Sequence, residues 1–273
     1  MTRYYTKACN FFYGNHSKTL VNKKKTIPLH NIKEISFDHI EIISRKSKKK
    51  IHINKINKLE KEIKRKINSD IMKIRSEKKS FSNFKFKKIP NILGILNITP
   101  DSFSDGGKFN SKTKSIKHAL KLFNDGADCI DIGGESTRPG SKSIEEKEEW
   151  KRIGQVLKYL NKKIPISLDT RKSNIMKNGI KLGVNLINDV SGLIYDKDTI
   201  NVLKKYKIPF VIQHSKGEPE YMQNNPKYKY ELLDIYDYFE KKIELIRSKG
   251  IRHNNIILDP GIGFGKNLKH NLK

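Results

Sequence analysis

Residues 93–107 read LGILNITPDSFSDGG. An apolar run of strand length, Ile92 to Leu96, switches at Asn97 to small, polar and turn-forming residues. A strand that opens into a Gly/Ser/Asp/Pro loop carries polar groups to the carboxyl end of a buried parallel sheet, as α/β enzymes do.

The same alternation continues outward from this stretch. Short apolar runs predict strands over 92–97, 128–132, 164–169, 185–188, 210–214 and 255–259. Amphipathic stretches between them predict helices over 113–124, 144–160, 173–181, 198–206 and 230–249. Ser143 and Glu146 have capping-box spacing before the second of these. Repeated strand–helix alternation implies parallel strands joined by right-handed crossovers. At or beside each strand's end lies a polar residue: Asn97, Asp131, Asp169, Asn188, His214 and Asp259. A doubly wound sheet concentrates function at one switch point, whereas a TIM-type (β/α)8 barrel builds its site from every strand end. The expected fold is therefore an α/β barrel of that type, with about six of eight βα units within the 273 residues. An open six-stranded array exposes unpaired edges, so the reading expects a C-terminally truncated barrel.

Charge divides the chain differently. Of 57 basic residues, 48 are Lys and 9 Arg, and the net charge is +28. Phosphate and base recognition favours the planar Arg fork over Lys, and no nucleic-acid motif is present; solvated lysine faces explain the excess, and no nucleic-acid partner is expected. Residues 1–90 hold 25 Lys/Arg against 7 Asp/Glu. They read as a basic N-terminal extension with a strand over 35–43 and a basic helix over 55–74, while Lys46–Lys50 and Lys78–Lys88 read as solvated linkers. Residues 91–273 form the barrel. Cys9 and Cys129 are far apart and form no metal-ligand pattern, which favours reduced thiols. No signal-peptide core and no apolar run of roughly 18 residues is present, so a cytoplasmic chain without a membrane partner is expected.

Three further stretches carry chemistry. In DIGGESTRPG (131–140), glycines permit close backbone approach and Arg138 adds a cationic fork; Asp131 and Glu135 read as braces of that loop. ISLDT (166–170) and LINDVSG (186–192) place Asp169 and Asn188 at strand ends, with Asp189 as a structural partner. ILDPGIGFGK (257–266) does the same for Asp259. A lone strand-end Asp is more often an N-cap or ion-pair partner. Two carboxylates and an amide together suit a heterocycle of mixed donors and acceptors, because unpaired polar groups are strongly penalised. His214, in IQHSKG, reads either as a pocket contact or as a satisfied barrel histidine, the second being favoured.

Together, TPDSFSDGG, DIGGESTRPG and DPGIGFGK resemble, in order and spacing, the dihydropteroate synthases of the pterin-binding enzymes. The resemblance covers about residues 91–272. It implies condensation of 6-hydroxymethyl-7,8-dihydropterin diphosphate with p-aminobenzoate to give 7,8-dihydropteroate and diphosphate. It implies Mg2+ as cofactor, with Asn97 as its protein ligand. By the same resemblance Asp101, Phe103 and Asp105 belong to a mobile first loop; Asp101 or Asp105 is expected to steady the developing pterin cation electrostatically. Thr137 and Arg138 meet the diphosphate and the surroundings of that cation. Asp169, Asn188 and Asp259 bind the aminopyrimidinone edge, and Phe264 with Pro139 lines the p-aminobenzoate pocket. Asp101, Asp105 and Arg138 are the catalytic candidates; Phe103 joins the substrate-binding ones. Small-molecule substrates are the expected partners, with a homodimer when full length.

The family's later Ser-Arg-Lys and Arg-x-His motifs have no counterpart in the 273 residues. Little synthase activity is expected of this chain alone. A pterin-binding methyltransferase module shares the Asp/Asn/Asp set, but would lack the first two loop motifs; a non-catalytic fragment is the other alternative.

Overall fold

The computed structural model describes residues 3–77, 81, 90–99, 108–136, 141–216 and 226–272, the side chains of 108–111 excepted. The chain divides into two compact units, Met1–Lys79 and Ser80–Lys273.

The first unit is a folded α+β body. Strand β1 (Tyr5–Tyr13) leads into helix α1 (Gly14–Asn22), then β2 (Ile27–Leu29), β3 (Ile32–Ile43) and β4 (Lys48–His52). A 3-10 turn at Ile53–Lys58 precedes helix α2 (Lys61–Arg75). β3 is the centre of the sheet: it pairs antiparallel with β1, β2 and β4. In α2, Ile63, Ile67, Ile71 and Ile74 recur at helical spacing and pack with Phe37, Ile40, Ile42, Ile51 and Ile56.

Two expectations are corrected here. Lys48–Lys50 are not linker residues but the start of β4, paired with Ile43, Ile42 and Glu41. Consecutive lysines suit an exposed edge, where they discourage further strand addition, and only Ile51 of the strand is buried. The helix expected from residue 55 begins at Lys61, because 53–58 close as a tighter turn.

The second unit is the α/β layer. Its strands are β5 (Leu93–Asn97), β6 (Cys129–Gly133), β7 (Ile166–Asp169), β8 (Leu186–Asp189), β9 (Phe210–Gln213) and β10 (Ile256–Asp259). Between them run α3 (Lys108–Asn124), α4 (Glu146–Leu160), α5 (Ser173–Leu182), α6 (Thr199–Tyr206) and α7 (Glu231–Ser248), and α8 (Leu268–Asn271) follows β10. All five strand pairings are parallel, and spatial order equals chain order from β5 to β10. There is no reversal and so no switch point, which distinguishes this barrel-type sheet from a doubly wound one. β6 is buried along its whole length. Ile153, Val156, Leu157 and Leu160 of α4 form a stripe in the same core as Ile130, Ile132, Ile166 and Leu168. In this sheet, β5 and β10 each pair on one side only, and Ile95 and Leu258 on them are 66% and 42% exposed.

The expected capping box is absent. α4 starts at Glu146 with Glu145 as N-cap and no side-chain cap bond. Ser143 instead lies 3.1 Å from the Tyr195 hydroxyl, and the Ile144 amide donates to Glu135. No helix among the described residues is long and apolar enough to cross a membrane.

Candidate active site

Parallel registration aligns four positions at the carboxyl end of the sheet. Asn97 pairs with Gly133, Gly133 with Asp169, and Asp169 with Asn188. A Cβ on Gly133 would lie 3.3 Å from Asp169 Oδ2 and 3.5 Å from Asn97 Oδ1. The two oxygens thus flank bare backbone, and a side chain at position 133 would press on Asp169. Farther along the sheet Asp259 pairs with Gln213, while its backbone carbonyl accepts from the His214 amide.

Below this row lies a second polar layer. The Asn188 amide nitrogen donates to Asp131 Oδ2 at 2.9 Å. Asp131 Oδ1, Asn188 Oδ1 and the Ser167 hydroxyl are buried and have no hydrogen-bond partner of ordinary geometry in the structure. Burial raises the Asp131 pKa, with the nearby Ser167 hydroxyl and Asn188 pulling it back. Asp169 is raised well above the usual carboxylate range, first by burial and then by the charges of Asp131, Asp189, Glu149 and Glu135. Of the two neighbouring acids, Asp169 therefore takes a proton more readily. A protonated Asp169 can donate a hydrogen bond, while Asn188 Oδ1 accepts one, giving the mixed pattern that a heterocycle edge requires.

The loop after β6 is braced from beneath. Glu135 accepts a forked pair from Arg171, Nε to Oε2 at 2.9 Å and Nη2 to Oε1 at 3.2 Å, plus the Ile144 amide at 2.9 Å. Lys172 lies between Glu135 and Glu149, at 3.2 Å and 2.6 Å. Burial opposes the Glu135 charge, but these partners leave its pKa lowered. Arg171 is also held over the Tyr195 ring, 3.9 Å from its centroid. Glu135 acts here as the brace that the sequence suggested. Asp189 is likewise structural: it accepts from the Ser191 amide and hydroxyl and from the Leu193 amide.

The β10 loop is pinned by a lysine that the sequence reading left without a role. Lys266 is 5% exposed. Its ammonium reaches the carbonyls of Gly261, Phe264 and His214 at 2.9, 3.0 and 3.2 Å, and His214 Nδ1 at 3.0 Å. Burial pushes Lys266 down to about 8, with Asp259 opposing. Burial and then the Lys266 charge push His214 down to about 4. His214 is thus neutral and satisfied, edge-on to Tyr238 at 4.8 Å. Gly261 has φ +65°, and a Cβ there would lie 2.1 Å from the His214 carbonyl oxygen. Only glycine fits this crossing between β9 and the loop that carries Asp259 and Phe264.

The structure therefore gathers Asn97, Asp169 and Asn188 into one row and puts Asp259 and half-buried Phe264 at the β10 end of the same sheet. Asp101, Phe103, Asp105, Thr137, Arg138 and Pro139 lie outside the described residues. Among the described residues no group of three or more His, Cys, Asp or Glu side chains could hold a metal ion. Mg2+ does not require such a cage, since it keeps most of its waters and binds through one or two protein oxygens plus substrate phosphates. The Asn97 oxygen beside open backbone fits that donor set.

The sequence model of the family described as pterin binding enzyme matches residues 93–273. A dihydropteroate synthase of Clostridium beijerinckii is 44% identical over 184 residues, covering 67% of this chain and 66% of its own length. That of Escherichia coli K12 is 40% identical, covering 67% of this chain and 65% of its own. The crystal structure of the Yersinia pestis dihydropteroate synthase with a sulfonamide drug complex superposes with a TM-score of 0.63 at 40% identity, covering 67% of each chain. The Clostridium difficile synthase, solved in the presence of pteroic acid, gives 0.63 at 43%, covering 69% of this chain and 70% of that one. The chain spans about two thirds, 65–66%, of the length of these two curated relatives.

Proposed function

We propose a reaction from one premise: the chain belongs to the pterin-binding enzyme family. The reaction is that of a dihydropteroate synthase, a transferase of folate biosynthesis. The p-aminobenzoate amine attacks the methylene carbon of 6-hydroxymethyl-7,8-dihydropterin diphosphate. The methylene C–O bond breaks, the diphosphate leaves with its electron pair, and the amine loses a proton to give 7,8-dihydropteroate. The observation that carries this reading is the registered row Asn97–Gly133–Asp169–Asn188, in which the Asp169 and Asn97 side-chain oxygens both lie beside the bare backbone of Gly133.

In this reading Asp169, Asn188 and Asp259 grip the aminopyrimidinone edge, with Asn188 Oδ1 as an acceptor. Phe264 and Pro139 line the p-aminobenzoate pocket, and Phe103 contributes to substrate binding from the first loop. Thr137 and Arg138 meet the diphosphate, the Arg138 cation matching part of its charge and so making it a good leaving group. Asp101 or Asp105 steadies the positive charge that the electron-rich pterin takes on as the C–O bond lengthens. This dissociative path requires no covalent enzyme intermediate. Asn97 would hold Mg2+, which when bound supplies Lewis-acid charge to the diphosphate oxygens. A cytoplasmic location, the absence of a nucleic-acid partner and a homodimer belong to the same proposal.

Pterin binding is the direct test. Titration of the purified chain with fluorescent 6-hydroxymethylpterin should saturate, and Asp169→Ala and Asn188→Ala should each weaken binding at least about tenfold, because each leaves polar partners unpaired. Wild type that does not bind pterin overturns the reading. Incorporation of labelled p-aminobenzoate, dependent on the pterin diphosphate, then measures turnover.

A further inference from the structure

Asp131 is a buried carboxylate that the proposed reaction leaves without a task. It is 8% exposed and makes no ion pair among the described residues. One of its oxygens meets the Asn188 amide nitrogen, and the other has no hydrogen bond of ordinary geometry. Across the sheet its register partner is Ser167, whose hydroxyl lies near enough to favour the Asp131 charge without such a bond. Nothing here is the salt-bridge arrangement of a loop brace, and the contrast with Glu135 is direct, since Glu135 has two cations and a backbone amide. The hydrogen-bond donor that Asp131 does hold is a residue of the substrate row.

We propose that Asp131 is a positioning residue for the pterin site: by accepting from the Asn188 amide nitrogen, it fixes the Asn188 carbonyl oxygen as the free acceptor for an N–H of the ligand. A side-chain amide is nearly symmetric in shape, and unless a neighbour selects one orientation it presents donor or acceptor with similar ease. A carboxylate only accepts. It therefore tolerates one of the two amide orientations, the one in which Nδ2 faces Asp131 and Oδ1 is left unpaired, as the structure shows. The buried, partnerless Oδ1 is the acceptor that a pterin amino or ring N–H would complete. Asp131 touches no substrate in this account and acts only through Asn188.

This inference rests on the pterin-binding reading, and a double-mutant cycle separates the two. Affinity for 6-hydroxymethylpterin is measured by fluorescence for wild type, Asp131→Leu, Asn188→Ala and the double variant, each checked for a cooperative thermal transition. Losing the orienting bond should weaken wild-type binding about tenfold, the scale of one charge-assisted hydrogen bond. On the Asn188→Ala background the same substitution should change affinity by less than about twofold, because residues that act in series are not additive. Asp131→Asn, which preserves size if Asp131→Leu does not fold, should weaken wild type by about threefold and the Asn188→Ala protein not at all, since its amide permits both orientations. Equal losses on both backgrounds would make Asp131 a merely structural residue and overturn the proposal, as would unchanged affinity in the wild-type background. Wild type that binds no pterin would overturn the proposed function, and this inference with it.

Discussion

Replacing Lys266 with Met should destabilise the second unit by about 3 kcal/mol. The ammonium has three protons and four acceptors within 3.2 Å: three carbonyl oxygens and His214 Nδ1. Hydrogen bonds to charged groups contribute about 1.5–3 kcal/mol each, so three would sum to several kcal/mol. Relief from burying a charge offsets part of this, and some of the freed carbonyls recover water, which leaves about 3 kcal/mol. For a body of 150–250 residues that corresponds to a melting shift of about 6–12 °C. Calorimetry and guanidinium titration of wild type and Lys266→Met measure it. A second arm varies pH. Folding lowers the Lys266 pKa to about 8 from its ordinary 10.5. Between those values the unfolded chain still holds a proton that the folded chain has released, so wild-type stability relative to Lys266→Met should rise with pH across that window. A loss under about 1 kcal/mol, or a stability difference that falls across the window, would refute the view of Lys266 as a buried cationic pin.

Other substitutions follow from the same geometry. Gly261→Ala, with its Cβ driven toward the His214 carbonyl, should displace the β10 loop and weaken pterin binding about tenfold, about 1.4 kcal/mol, with the helical circular dichroism retained. Glu135→Ala leaves Arg171 and Lys172 buried without their shared carboxylate and should cost about 3–5 kcal/mol in a urea titration. His214 is lowered to about 4 from 6.5, so acidification protonates the unfolded chain first and wild type loses stability from pH 6.5 to about 4. Asp189, raised to about 6 from 3.8, does the reverse over much of that range. His214→Gln should therefore hold its stability better than wild type on acidification, and a parallel pair of acid-stability curves would contradict this.

The second unit was legible because its signals are local. Runs such as CIDIG (129–133) and FVIQ (210–213) are apolar and short, and each predicted strand or helix lies within a few residues of its observed bounds. The first unit was not, and β1 shows why. YTKACNFFY alternates no clean apolar face and carries Asn10 at φ +60°, so its strand character comes from pairing with β3 rather than from its own pattern. Tertiary pairing overrides propensity in such strands. At the site, Asn97, Asp169 and Asn188 were readable as strand ends. The Lys266 pin, the Arg171–Glu135 fork and the Asp131–Asn188 bond join residues 52, 36 and 57 positions apart. A single sequence carries no periodic mark of such partners; the only available hints were cations directly after ISLDT and within DPGIGFGK.

Spatial order equal to chain order also bears on how the body is made. Each strand from β6 to β10 lays itself beside the strand synthesised just before it. Among the five described pairings of this sheet none joins strands distant in the chain, so loop-closure entropy is met there in small instalments. Assembly can advance along the chain as it emerges, one strand and helix at a time. The Lys266 pin comes last: it can close only after β9 has delivered the His214 carbonyl and β10 has turned back toward it. The loop bearing Asp259 and Phe264 should accordingly gain protection from hydrogen exchange after the Asn97, Asp169 and Asn188 strand ends during refolding.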